Sequence, residues 1–209
     1  MPYILGLTGN IASGKSTVGL MLLEMGADIY IDADRVVHEL YLPGQPLVAE
    51  LAGVFGSQIV DQAGGIDRKI LGQIVFGNPT EMRRLEQIVH PAVQTALMST
   101  LRQLDARRPD AVGVLDAVKL VESGYGQLLE SFWLVICSPA VQLERLVKLR
   151  GIPLLEAELR LQSQPDLESK RAQAAEIIDN SGDLDQLRHQ VSAAWKRFMD
   201  GIRARESTG

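Results

Sequence analysis

A chain of 209 residues, 46% hydrophobic and 22% charged, carries enough apolar sequence for one globular domain with a sizeable core, which excludes a disordered or fibrous protein. A formal net charge of −5 argues against a broad nucleic-acid footprint and leaves room for a local basic patch suited to an anionic small molecule. No apolar run approaches the ~18 residues of a membrane span, the first residues read as a strand rather than a cationic leader, and Cys137 is the single cysteine, so neither an internal disulfide nor a thiolate metal cluster is expected. A cytoplasmic protein without nucleic-acid or membrane partners, a monomer or small homo-oligomer, is predicted.

In chain order, the first signal is an apolar run, Tyr3 to Leu7, followed by Gly9-Asn10-Ile11-Ala12-Ser13-Gly14-Lys15-Ser16, which fills the pattern G-x-x-x-x-G-K-[ST]. A helical pattern opens at Gly14, so strand, glycine loop and helix stand in the order that a phosphate-binding loop requires. Glycines let the backbone close around a polyphosphate, and successive N–H groups and the positive helix end meet the anion. Lys15 then reaches the β- and γ-phosphates, and the Ser16 hydroxyl supplies an oxygen ligand for Mg²⁺. ATP and Mg²⁺ are therefore the expected cofactors.

Ile29–Ile31 reads as a second strand, delivering Asp32-Ala33-Asp34 to the carboxyl end where open α/β sheets bind ligands. A kinase needs one carboxylate there to orient an acceptor hydroxyl and take its proton. Asp34 serves as that base or caps the helix beginning at Arg35, and Asp32 serves the cap or the metal. From 36 to 110 no buried strand is evident. Helical stretches at Pro46–Phe55, Asp67–Phe76 and Thr80–Leu104 are punctuated by Gly64-Gly65, Pro79 and Arg107-Arg108-Pro109. This block reads as a helical insertion that receives the second substrate.

Val112–Leu115 is a third strand, ending in Asp116 where a carboxylate can serve Mg²⁺ directly or through water. Leu134–Cys137 and Glu176–Ile178 complete the set, with Cys137 read as a small buried residue at a strand end. Between these last two strands, about 140–174, runs a helical stretch broken by Gly151-Ile152-Pro153 and Pro165 and carrying Arg145, Lys148, Arg150, Arg160, Lys170 and Arg171, a mobile basic lid over phosphates. Asp179-Asn180-Ser181-Gly182 is the candidate adenine-side contact. Trp133 and Trp195 read as packing residues, and Glu206–Gly209 as a frayed tail. Strands alternating with helices predict a three-layer α/β P-loop nucleoside-triphosphate hydrolase fold with a parallel sheet. Its core is expected over about 1–35, 111–139 and 175–209, with the acceptor-binding insertion at 36–110 and the lid at 140–174.

These residues together resemble the dephospho-coenzyme A kinase family over nearly the whole chain. The resemblance is carried by Ile4 to Thr17, Asp32-Ala33-Asp34, Asp67 to Leu71 with Ile74 to Phe76, Leu85-Glu86 with Ile88 to Pro91, Gln142 to Leu146 with Gln164, and Ile178 to Gly182. It implies ATP-dependent phosphorylation of the ribose 3′-hydroxyl of dephospho-CoA, the last step of coenzyme A synthesis. It further implies that Gly9, Asn10, Ile11, Ala12, Ser13, Gly14, Lys15, Ser16 and Thr17 hold ATP together with Asn180. Asp34 would be the base, and Arg145 and Arg150 would be the lid cations acting on the transferring group. Asp32, Arg68, His90 and Asp116 would lie on the acceptor side. Another small-metabolite or nucleoside monophosphate kinase, or an ATP-binding protein without activity, remains the alternative.

The chain departs from the family pattern at three places. Asn10 and Ala12 stand where glycines are common, both at free positions of the loop pattern, so little loss is expected. Val118 and Lys119 replace Pro and Leu in Asp116 to Glu122, leaving Lys119 to reach either solvent or the acceptor's diphosphate. Arg150-Gly151 stands where Arg-Asp-Gly is usual, which leaves open which lid cation matches.

Overall fold

The computed structural model describes residues 2–118, 120, 125–164 and 166–207. The expectations placed on Lys119, Val121, Glu122, Pro165 and the last two residues fall outside the described part. The chain divides into two compact units, one formed by Met1–Ile31 with Arg108–Gly209 and the other by Asp32–Arg107.

The first unit is built on a five-stranded sheet ordered β2-β3-β1-β4-β5, from β1 (Tyr3–Thr8), β2 (Ile29–Asp32), β3 (Val112–Asp116), β4 (Ser131–Ile136) and β5 (Glu176–Asp179). β1 pairs in parallel with β3, Tyr3 opposite Val112, and with β4, Leu5 opposite Ser131, while β4 pairs in parallel with β5. The strands are short apolar runs because both faces of a parallel sheet are covered by helices. Leu5, Leu7, Val114, Trp133, Val135 and Ile178 pack with Val18 and Leu22 of α1 (Lys15–Glu24) and with Leu187, Val191 and Trp195 of α9 (Leu184–Glu206). Trp195 also donates from Nε1 to Met25 O at 3.0 Å, satisfying the one polar atom of its indole.

Several boundaries differ from the sequence reading, and β1, β2, β3 and β5 each run one residue further than expected. β4 begins at Ser131 rather than Leu134, because ladder pairing with Leu5 to Thr8 draws Phe132 and Trp133 into the strand. It ends at Ile136, leaving Cys137 half-buried just beyond it. Glu206 lies in the last turn of α9 and accepts a hydrogen bond from the Tyr3 hydroxyl at 3.0 Å, which holds the end expected to fray. Between β4 and β5 come α6 (Pro139–Glu144), a π-helical turn at Arg145–Leu149, α7 (Leu154–Gln162) and α8 (Glu168–Gln173). Ser138 caps α6 by accepting from Val141 N at 3.3 Å, with Pro139 in the first turn where its missing N–H costs nothing.

The second unit is helical: α2 (Ala33–Leu40), α3 (Pro46–Phe55), α4 (Arg68–Val75) and α5 (Pro79–Arg107). α3 has the bounds its sequence signals set, Pro46 in the first turn and Gly56 at φ 91° after the last. α5 runs 29 residues and passes through Pro91 without ending. Leu47, Leu51, Phe55, Leu71, Val75, Val93, Leu97 and Leu101 are buried. No helix among the described residues is long and apolar enough to cross a membrane.

Candidate active site

The loop from Gly9 to Ser16 joins β1 to α1. At Gly9, φ is 152° and a Cβ would fall 2.1 Å from Val135 O; at Gly14, φ is 92° and a Cβ would fall 2.0 Å from Asn180 Nδ2. Both glycines are required by close approach as well as by conformation. Ala12 departs from the expectation that its position is free: its φ is +56°, in the left-handed region that disfavours an L side chain. A glycine would adopt it without strain, so the alanine carries a conformational cost that the surroundings must offset.

Lys15 Nζ donates to Gly9 O at 3.2 Å and stands 4.0 Å from Asp116 Oδ1. Asp116 ends β3 and is buried, and its Oδ2 accepts from the Tyr30 hydroxyl at 2.6 Å. Tyr30 was not singled out from the sequence; its position on β2, the strand next to β3, is what brings it there. Ser16 stands exposed in the first turn of α1.

The segment after β4 closes on the loop from the other side. Arg145 Nη1 donates to Ala12 O and to Ser13 O, each at 3.2 Å, and Nη2 to Asn180 O at 2.9 Å and Asn180 Oδ1 at 3.2 Å. Buried Asn180 donates from Nδ2 to Ser13 O at 2.8 Å. Gln142 Nε2 donates to Ile11 O at 2.9 Å, and Ile11 N donates to Gln164 Oε1 at 2.8 Å. Sequence reasoning assigned no task to either glutamine, although Gln142 stands three residues before Arg145 and so shares its helix face. The remaining cations of the segment have other destinations. Lys148 pairs with Glu144, Arg160 with Glu156 and Arg171 with Glu168 on the surface, while buried Lys170 donates to Val118 O at 2.7 Å, an oxygen that also accepts from Thr8 Oγ1 at 3.0 Å.

A cleft of about 340 Å³ opens beside the loop, lined by Ala12, Gly14, Ser16, Thr17, Arg145, Leu149, Arg150, Asn180 and Leu184. Arg150 is exposed there, and Leu149 and Leu184 present apolar side chains. Cys137 Sγ donates to Ala12 O at 3.7 Å, and burial raises the thiol pKa against the opposing pull of Arg145, so the group stays protonated near neutrality.

In the second unit, Asp32 is the cap of α2: its Oδ1 accepts from Asp34 N at 2.9 Å and Arg35 N at 3.3 Å. The helix end is thereby satisfied without Asp34, whose side chain is exposed. Asp67 caps α4 in the same way, from Lys69 N at 2.9 Å and Ile70 N at 3.0 Å, and Arg68 follows it exposed at the helix start. Burial raises the pKa of Tyr41, and the nearby Arg68 charge opposes the shift. His90 is half-buried on α5 immediately before Pro91.

The phosphate loop meets the tests for a triphosphate and its cation. The buried Ser13 hydroxyl in the loop has no hydrogen-bond partner within the described residues, and the Ser16 hydroxyl and Asp116 carboxylate are hard oxygen donors of the kind Mg²⁺ selects. A sequence model of the family described as dephospho-CoA kinase matches residues 3–186. Among curated relatives, a dephospho-CoA kinase of Symbiobacterium thermophilum is 44% identical over 198 residues, 95% of this chain and 82% of its own length. One of Geobacter metallireducens is 43% identical, covering 94% of this chain and 97% of its own. A crystal structure of a Thermus thermophilus protein superimposes with a TM-score of 0.78 at 30% identity, over 94% of this chain and 97% of that one. With these matches spanning both units and the loop that begins them, the chain belongs to the dephospho-CoA kinase family.

Proposed function

We infer that the protein transfers the γ-phosphoryl group of ATP to the ribose 3′-hydroxyl of dephospho-CoA, giving coenzyme A and ADP in the last step of coenzyme A synthesis. The observation that carries this reading is the match of residues 3–186 to the family, together with a glycine loop whose Lys15 stands beside Asp116. In the reaction the acceptor oxygen forms a bond to the γ-phosphorus as the bond to the bridging β–γ oxygen breaks, and the acceptor proton passes to a carboxylate. Asp34 is that base in our reading, because the capping task belongs to Asp32 and leaves the Asp34 side chain uncommitted to the helix end.

Lys15 neutralises the β- and γ-phosphates. The N–H groups of the loop and of the first turn of α1 bind the anion in place of water, and their preorganisation costs no rearrangement during transfer. Arg150, exposed at the cleft, reaches the transferring group, while Arg145 borders the nucleotide from its place on the loop carbonyls. Asn180 holds the loop at the adenine side. Ser16 and Asp116 would hold Mg²⁺, which neutralises charge on the β- and γ-oxygens. Arg68 and His90 contact the acceptor in the helical unit 32–107. The enzyme acts in the cytoplasm as a monomer or small homo-oligomer.

The test is an acceptor panel with labelled ATP and Mg²⁺. Label transfer to dephospho-CoA, absent with nucleoside monophosphates and simple sugars, is the expected outcome. Transfer to another acceptor in preference to dephospho-CoA would overturn the substrate, and no transfer despite ATP binding would overturn the activity.

A further inference from the structure

The tip of the phosphate loop is held from the side of the segment that follows β4. Both ends of the Ile11 residue are engaged: its N–H donates to Gln164 Oε1 at 2.8 Å and its C=O accepts from Gln142 Nε2 at 2.9 Å. The Gln164 amide is oriented by its own Nε2, which donates to Leu161 O at 3.4 Å, so its acceptor end turns to Ile11. Around these bonds Ile11 and Ala12 enter a small apolar cluster with Leu146 and Ala157, flanked by Leu143, Val147, Ile152 and Leu161 and separate from the core of the sheet. The next residue, Ala12, is the one non-glycine with positive φ among the described residues, at +56°. An L residue leaves that region unless its surroundings over-determine it, and here the flanking carbonyl, the apolar cluster and Arg145 on Ala12 O do so.

We propose that Gln142 and Gln164 are positioning residues for the phosphate loop: by gripping Ile11 at its N–H and its C=O, they hold Ala12 in the left-handed conformation from which the anion-binding turn is built. The device answers a particular feature of this chain, an alanine where a glycine would need no holding. It acts through the loop and touches no reacting atom. The proposal rests on the reading of Gly9 to Ser16 as the ATP site.

The test measures ATP affinity of the full-length protein by calorimetry, with unfolding followed in parallel. Gln142→Ala and Gln164→Ala each remove one bond to the loop, and each is expected to weaken ATP binding by up to roughly tenfold. Two carboxylate variants separate the hydrogen bond from the added charge. Gln142→Glu replaces the donor by an acceptor facing the Ile11 carbonyl, whereas Gln164→Glu adds the same charge but keeps an acceptor for the Ile11 N–H. The first is expected to lose at least several-fold more affinity than the second. Ala12→Gly, placed in the Gln142→Ala or Gln164→Ala background, is expected to recover about threefold or more of the lost affinity, because glycine adopts the conformation unaided. Equal losses from the two glutamates, or no recovery from Ala12→Gly, overturn the proposal. Should Gln142→Ala fail to fold, the half-buried Gln164 carries the same cycle. Calorimetry with ATP alone reads the loop whatever the acceptor, so a wild-type protein that binds ATP without phosphorylating dephospho-CoA overturns the proposed function and leaves this inference standing.

Discussion

Arg145 and Asn180 converge on one oxygen: the Ser13 carbonyl accepts from Arg145 Nη1 at 3.2 Å and from Asn180 Nδ2 at 2.8 Å. In a planar trans peptide the N–H points opposite to the C=O, so drawing the Ser13 carbonyl toward these donors turns the Gly14 N–H the other way. The side chains after β4 and β5 thus set the direction of a backbone donor in the phosphate loop, and their loss is felt through nucleotide binding.

Arg145 and Arg150 are therefore expected to fail differently. Arg145→Ala releases three carbonyls and one amide oxygen and should raise the KM for ATP together with a loss of thermal stability. Arg150→Ala, at an exposed position on the cleft, should lower kcat with little change in stability. Steady-state kinetics beside melting curves make the comparison; matching profiles for the two variants would contradict the division of labour.

Lys15→Ala is expected to cost ~10²–10³ in turnover, the usual effect of removing one electrostatic clamp on a developing charge. Lys15 also stands 4.0 Å from the buried Asp116 carboxylate, so a small loss of stability should accompany it. Near-normal turnover in the purified variant would remove the assignment of the loop.

For the carboxylate pair, Asp34→Asn should lower kcat by ~10²–10⁴ while leaving ATP affinity and melting temperature nearly unchanged, since the amide keeps the shape but takes no proton. Asp32→Ala should instead lower stability by about 0.5–2 kcal/mol through loss of the cap on α2. Kinetics and denaturation on both variants decide the matter: a stable, inactive Asp32→Asn beside an active Asp34→Asn would exchange the roles.

Cys137 should resist alkylation. Burial raises its thiol pKa, and a raised pKa leaves the thiolate scarce at neutral pH, so the rate with iodoacetamide should stay below that of a free thiol at pH 7 to 8 and climb only at more alkaline pH. A fast reaction at pH 7 would show that the Arg145 charge, which pulls the other way, outweighs desolvation.

Much of this molecule is legible in local sequence because its signals are local. Gly9 to Ser16 announces its loop by spacing alone, and Pro46 with Gly56 bounds α3 through the conformations those residues permit. Alternating apolar runs name the five strands, since a strand buried on both faces must be apolar throughout. What the sequence could not state are distances between residues far apart in the chain. The extra three residues of β4 come from its ladder with β1. The two aspartates at the junction of β2 and α2 are indistinguishable by type and spacing, and only backbone geometry made Asp32 the cap. The cations read as one mobile set divide by burial and partner into surface pairs, inward Lys170, loop-bound Arg145 and exposed Arg150. Ala12 marks the boundary most clearly. Pattern matching treats its position as free, because a motif records residue types, but φ is set by Ile11, Gln142, Gln164 and Arg145 together, across more than a hundred intervening residues.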